Sequence, residues 1–253
     1  DAQATAELLL YMRQKLFELP KGLLESLLEL ADNLLYESYL VIEEVYQQQS
    51  LLSSPELIEL HGLFLRKESQ ALIPRKLSKD FAKNISLLGL EERPQQLKFA
   101  EKVEHLLEEH QASFIQAQTG LGKTYGYLLP ALNSESDAGI LVSVPTKILQ
   151  NQIMQEEGHR LKEVFHLEIH SLKGPQNYLK LDAFHQVLHR PESNRLFTRF
   201  KMQLLIWLTE TETGDLDEIG QLYRYQHFLP ELVHDGKLSK KSLFATEDFW
   251  KRG

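Results

Sequence analysis

Eight residues carry the chemistry most plainly: Ala117-Gln118-Thr119-Gly120-Leu121-Gly122-Lys123-Thr124. Two glycines one residue apart let the backbone turn its N–H groups onto an anion without side-chain obstruction. A lysine then reaches toward the outer phosphates of a nucleotide, and the threonine hydroxyl can ligate magnesium. The loop needs a strand before it and a helix after it. The helix adds a partial positive charge at its N-terminus, facing the phosphates. Both flanks have the right character: ASFIQAQ (112–118) is a short apolar run, and KTYGYLLPAL (123–132) has helical spacing. The expectation is ATP with Mg2+, with Lys123 and Thr124 as the catalytic pair and Thr124 as a metal ligand.

About twenty residues upstream stands Arg93-Pro94-Gln95-Gln96. A glutamine amide offers a donor and an acceptor together, which suits the exocyclic amine and ring nitrogen of adenine. Arg93 and Gln96 join the nucleotide contacts on this reading, with Gln96 the better adenine reader of the two glutamines. Downstream, a second apolar run, GILVSVP (139–145), ends in Pro-Thr before a helical pattern. Thr146, Lys147 and Gln152 there can hold a nucleic-acid phosphate. A plain capped helix explains the same residues equally well.

These stations need a scaffold. Around residue 91 the pattern changes from helical to alternating: helix 93–109, strand 112–118, loop, helix, strand 139–145, helix 146–157, then a strand at HLEIHSL (166–172). Such alternation predicts an α/β unit with a parallel sheet. On either side the chain reads as mostly helical. ATAELLLYMRQKLFEL is followed by Pro20 and Gly22, and GLLESLLELADNLLYESYLVIEEVY resumes the helical spacing. Ser54-Pro55 reads as the start of another helix. Three helical stretches follow residue 175. The basic residues Lys173, Lys180, Arg195, Arg199 and Lys201, with Tyr178, Phe197 and Phe200, could contact phosphates and stack bases. An amphipathic helix with a buried aromatic face is the favoured reading. The pair His166 and His170, in an alternating run, reads as structural.

Composition narrows the classes. Of 253 residues 42% are hydrophobic and 25% charged, as in ordinary globular domains. The net charge of −8 argues against nucleic-acid binding through bulk charge but leaves room for a local groove. There is no cysteine, which fits a reducing, cytoplasmic setting and removes any thiolate-held metal or cluster. No stretch is apolar enough to span a membrane, and no signal peptide is visible.

A phosphate loop also needs an acidic pair at the end of a buried strand downstream. LVIEE (40–44) lies upstream in a helical pattern, Asp217-Glu218 follows a polar turn, and LLIWLTE (204–210) continues a helix. The expectation is that the pair lies beyond Gly253, and that this stretch binds nucleotide without turning it over.

Taken in order, RPQQ, the glycine loop and PTKILQNQ resemble the Q-motif, motif I and motif Ia of superfamily 2 helicases. LKGPQNYLKL (172–181) resembles the segment after motif Ia in the DinG/XPD branch, with Lys173, Gly174, Asn177, Tyr178 and Leu179 matching. Where that branch opens its iron–sulfur site with cysteine, this chain has Lys180. TETGDLDE (211–218) is similar to part of the branch's cluster domain. DAQATAELL (1–9) resembles the last motif of a DEDDh-type 3′–5′ exonuclease, as in DinG proteins of Gram-positive bacteria that lack the cluster.

That resemblance implies an incomplete RecA-like P-loop sheet, helicase motor domain 1, flanked by two mostly helical regions. It implies an exonuclease remnant over 1–18, a helical connector over 19–90, the ATP-binding part over 91–174 and a cluster-free helical insert over 175–253. It implies DNA, single-stranded or forked, as partner, and Asp1 as a carboxylate ligand of the exonuclease metals. Two readings outside it stay open: a P-loop ATPase or kinase with no nucleic-acid partner, and a non-catalytic helical docking segment.

Overall fold

The computed structural model describes residues 2–34, 36–49, 54–69, 73–110, 112–134, 139–237, 242–244 and 249. In chain order its elements are α1 (Ala2–Phe17), α2 (Lys21–Ala31), α3 (Tyr36–Gln48), β1 (Leu57–Leu60), β2 (Leu63–Arg66), α4 (Phe81–Leu87), α5 (Pro94–Glu108), α6 (Lys123–Asn133), α7 (Lys147–Ile153), α8 (His159–Phe165), α9 (Leu181–Leu188) and α10 (Arg195–Trp207). A single π-helical turn, Met154–Gly158, joins α7 to α8. The fold is α/β and rich in helix. The chain divides into two compact units, one made of residues 1–69 with 173–253 and the other of 70–172.

The first unit is built on α2 and α10. Leu23, Leu24, Leu27 and Leu30 recur at helical spacing and put one apolar stripe of α2 inside. α10 is held at its start by Asn194, whose side chain accepts from the Leu196 and Phe197 N–H groups. It buries Phe197, Phe200, Leu204, Leu205 and Trp207. Phe197 stacks on Phe228 at 4.3 Å and Phe200 on Tyr225 at 4.2 Å between ring centroids. The aromatic residues of this region are therefore core, as is Tyr178, rather than an exposed stacking platform. Even Lys201 is fully buried, its ammonium 3.3 Å from the Arg190 carbonyl and over the Phe197 ring.

The helix expected from Ser54-Pro55 is instead an antiparallel hairpin. Leu57 pairs with Arg66 and Leu60 with Leu63, around a two-residue turn at His61 and Gly62 with φ of 51° and 83°. Two consecutive positive φ angles give the turn whose twist matches the flanking strands. The alternation of LIEL and LFLR then puts Leu63 and Leu65 in the core. Burial of that face outweighs the helix-start signal.

Residues 173–180 are tied to two distant segments. Tyr178 bridges Asp215 and Leu179 bridges Val233. The Lys180 N–H donates to the Leu232 carbonyl at 2.8 Å and the His234 N–H to the Tyr178 carbonyl at 2.9 Å. The Lys173 ammonium, its side chain only 2% exposed, lies 2.5 Å from Asp215 and 2.9 Å from Asp217. Burial disfavours its charge, but the two carboxylates prevail and hold its pKa above the usual lysine value. Glu218 accepts from the Trp207 indole at 3.2 Å and the Thr211 hydroxyl at 2.6 Å. Lys180 pairs with Asp235 at 2.8 Å, and the hydrogen bond from Lys180 pulls that carboxyl down to about 2.

In the second unit α5 packs along α6, close enough that a Cβ on Gly126 would lie 2.6 Å from the Phe99 ring. A small core of Ile85, Leu88, Tyr125, Leu129, Leu161 and Phe165 joins α4, α6 and α8. The three runs expected as strands, 112–118, 139–145 and 166–172, form no ladder. Among the described residues the one sheet is the β1–β2 hairpin. An apolar run becomes a strand only when a neighbour takes its N–H and C=O groups. None of the three has a strand partner among the described residues, and Phe114 and Leu141 point into solvent.

Candidate nucleotide-binding site

Local sequence places the phosphate loop between two helix starts. Pro94 fixes the first turn of α5, where its missing N–H costs nothing. Gly122 precedes α6 with φ 84° and ψ 38°, a left-handed conformation, and Gly120 has φ 81°. A residue with a Cβ is disfavoured at both. At Gly122 a Cβ would also meet the Gln96 amide nitrogen at 2.3 Å.

The two glycine carbonyls are held from α5. The Arg93 guanidinium donates to the Gly120 carbonyl at 2.9 Å, and the Gln96 amide donates to the Gly122 carbonyl at 2.7 Å. Gln96 is buried, 4% exposed, while its neighbour Gln95 is exposed. The Lys123 ammonium donates to the carbonyls of Ala117 and Gln118, each at 3.2 Å, so its side chain arches back over the loop. Thr124 sits in the first turn of α6 and hydrogen-bonds Tyr127. Burial pushes the Tyr127 hydroxyl pKa up against that bond. Beside the loop opens a cavity of about 420 Å³, lined by Arg93, Pro94, Gln95, Gln118, Thr119, Gly120 and Leu121. That volume lies in the range of small-ligand clefts.

The structure therefore brings Arg93, Gln96, Ala117, Gln118, Thr119, Gly120, Leu121, Gly122, Lys123 and Thr124 into one locus. Gln95 is the addition, exposed and lining the cavity. Its neighbourhood in RPQQ was visible, but which glutamine faces out was not. Thr146 caps α7, its hydroxyl accepting from the Leu149 N–H at 3.3 Å, and Lys147 and Gln152 are exposed on that helix. Asp1 lies outside the described residues. Among the described residues no three His, Asp or Glu side chains gather to hold a metal ion. Nor is any helix there long and apolar enough to cross a membrane.

The residues fit a nucleotide: two left-handed glycines, a helix start, a lysine within reach and a hydroxyl beside it. Residues 93–215 match the family DEAD/DEAH box helicase, so loop and match agree on the class. Within that class the similarity narrows to DinG. The chain is 33% identical over 232 residues to the 3′-5′ exonuclease DinG of Staphylococcus aureus (strain bovine RF122 / ET3-1). It is 32% identical over 234 residues to that of Staphylococcus saprophyticus. Each alignment takes in 87% of this chain but only 26% and 25% of the relative, so the chain spans about a quarter of their length. The chain is thus similar to one segment of DinG proteins. No solved structure matches this chain.

Proposed function

We propose that this chain is the ATP-binding segment of a DNA-dependent ATPase of helicase type, whose whole protein also carries a 3′–5′ exonuclease. One observation carries the nucleotide part: the braced glycine loop, Gly120 and Gly122 both left-handed, ahead of Lys123 at the start of α6. Arg93, Gln96 and residues 117–124 form the nucleotide site. Lys123 neutralises charge on the outer phosphates. Thr124 supplies a hydroxyl to Mg2+, which can still hydrogen-bond Tyr127, since a hydroxyl has one donor and two lone pairs. The magnesium supplies charge neutralisation at the phosphates when bound.

The finer readings rest on the same footing. A RecA-like parallel sheet would use 112–118 and 139–145 as strands, and would cover Phe114 and the Ile140-Leu141-Val142 run, which are exposed here. Domain limits at 18, 90 and 174 follow the sequence pattern. DNA, single-stranded or forked, would meet Thr146, Lys147 and Gln152. Asp1 would complete the metal set of the exonuclease. The protein would act in the cytoplasm on DNA during repair or replication. Where the related branch holds an iron–sulfur cluster, this chain has Lys180 paired with Asp235.

The test is magnesium-dependent ATP binding by calorimetry. Lys123→Ala should weaken it at least tenfold, about 1.4 kcal/mol. Equal affinity in both proteins would end the proposal. Stimulation of ATP turnover by single-stranded DNA in the whole protein tests the nucleic-acid part, and a DNA-independent rate would favour an ATPase with another partner.

A further inference from the structure

One π-helical turn, Met154–Gly158, separates α7 from α8. Single wide turns of this kind interrupt the α-helical ladder and recur at functional sites. Here the turn carries Glu157. Its Oε2 is buried and has no hydrogen-bond partner among the described residues. A buried carboxylate oxygen without a donor is costly, so its presence calls for a reason. Leu161, one helical turn further on, shares a core with Tyr125 and Leu129 of α6. The π-helical turn therefore lies beside α6, the helix that follows the phosphate loop.

Two tyrosines of α6 meet it there. Burial raises the pKa of the Tyr125 and Tyr127 hydroxyls, and the Glu157 charge adds to the rise at each. Tyr127 is half-buried and hydrogen-bonds Thr124. Thr124, Tyr127 and Glu157 thus follow one another from the loop to the π-helical turn. A tyrosine hydroxyl has one proton to give and can also accept, whereas an ionised carboxylate only accepts. The Thr124 hydroxyl can do both until its oxygen is given to a cation. It then has only its proton to offer. The order of donation is fixed from both ends: Thr124 donates to Tyr127, and Tyr127 keeps its own proton for the open oxygen of Glu157. Hydrogen bonds in such a chain polarise and strengthen one another.

We infer that Glu157 is a positioning residue of the nucleotide site: acting through Tyr127, it turns the lone pairs of Thr124 toward the magnesium of a bound nucleotide and ties the π-helical turn to the phosphate loop. This rests on the nucleotide reading above. It adds the route by which occupancy of the loop reaches residues 147–165, the segment on which Lys147 and Gln152 are exposed. The open oxygen of Glu157 is then an acceptor held ready for the loaded state. A Thr124 hydroxyl already turned the right way loses less freedom when the cation arrives.

The experiment uses the 253-residue chain and ATP as probe, once with Mg2+ and once with EDTA in its place. Calorimetry gives the two affinities, and their ratio is the magnesium increment. The variants are Tyr127→Phe, Glu157→Met, which removes the acceptor at similar length, and Glu157→Gln, which keeps one acceptor oxygen. Circular dichroism confirms the fold of each. Loss of a hydrogen bond to a charged group should cut the increment about tenfold in Tyr127→Phe and in Glu157→Met. Glu157→Gln should restore part of it. Combining Tyr127→Phe with Glu157→Met should be no worse than Tyr127→Phe alone, because both cut one chain. Apart from affinity, ATP with Mg2+ should slow amide hydrogen exchange over 147–165 in the wild type but not in Tyr127→Phe. Should Glu157→Met not fold, Tyr127→Phe, which loses a single hydroxyl, carries the same expectation. The inference is overturned if the variants weaken ATP equally with and without Mg2+, as a purely structural role would. An unchanged increment, additive effects in the double variant, or exchange over 147–165 that ignores ATP in the wild type overturns it as well. A wild type that binds no ATP under either condition overturns the nucleotide reading itself, a result distinct from all of these.

Discussion

Substituting Gly122 by alanine tests the loop geometry at one atom. Two costs can be worked from the structure. The left-handed conformation, φ 84°, costs a residue with a Cβ roughly 1–2 kcal/mol. The new Cβ would sit 2.3 Å from the Gln96 amide nitrogen, so that buried amide must leave the Gly122 carbonyl. Giving up the hydrogen bond of a buried group costs a further 1–2 kcal/mol or so. The sum, about 3 kcal/mol, is a little over a hundredfold in ATP affinity if it falls on the binding-competent loop. The decisive assay is a double-mutant cycle by calorimetry with Gln96→Ala. With the amide already removed, Gly122→Ala should cost only the backbone part, about tenfold. The double variant should therefore bind within a fewfold of Gly122→Ala alone. If the two single effects add in full, Gly122 and Gln96 do not meet as described and the argument for a braced loop fails.

Other expectations concern the first unit. Lys173→Met should destabilise it by about 2–3 kcal/mol in denaturant unfolding, at the low side for a broken buried pair because Asp217 is a third exposed. Because the folded pKa of Lys173 lies above 10.5, its stabilisation is present below that pH and fades as pH rises through the folded value. The stability difference between wild type and Lys173→Met should therefore shrink in strong alkali. Asp235 should titrate near pH 2 by carboxyl NMR and move back toward 3.8 in Lys180→Ala. The pair's contribution is present above about 3.8 and lost as pH falls through 2. Glu218→Ala should shift Trp207 fluorescence and lower the melting temperature, since it frees both the indole and the Thr211 hydroxyl. An unchanged spectrum would contradict that contact.

What was legible in the sequence was what local chemistry decides. Gly120 and Gly122 before a lysine, Pro94 at a helix start, Thr146 as a cap and the apolar stripes of α2 and α10 each act within a turn or two of chain. What was hidden depends on partners far away. Nothing local to Lys173 announces Asp215 and Asp217, more than forty residues on. The hairpin at 57–66 was concealed because Ser54-Pro55 imitates a helix start and His-Gly is an unusual turn pair, while its alternating leucines are decided by the core they meet. The runs at 112–118 and 139–145 have strand composition, but composition cannot supply the neighbouring backbone that a ladder needs. Which of Gln95 and Gln96 turns inward is set by how α5 lies on α6, a property of packing rather than spelling.

The first unit is interrupted: residues 70–172 form the second unit between its two parts. The leucines of α2 share their core with α3, which follows directly, and with α10, whose first residue follows the end of α2 by about 165 positions. At ribosomal speeds of roughly 5–20 residues per second, the α10 part of that cover arrives on the order of ten to thirty seconds later. During that interval the second unit has been fully synthesised and can fold first. The order of birth thus runs opposite to the order of completion: of the two units, the one begun first is the last to close. A nascent α2 is the natural place for a chaperone to hold, and slowing translation before residue 195 lengthens its exposure.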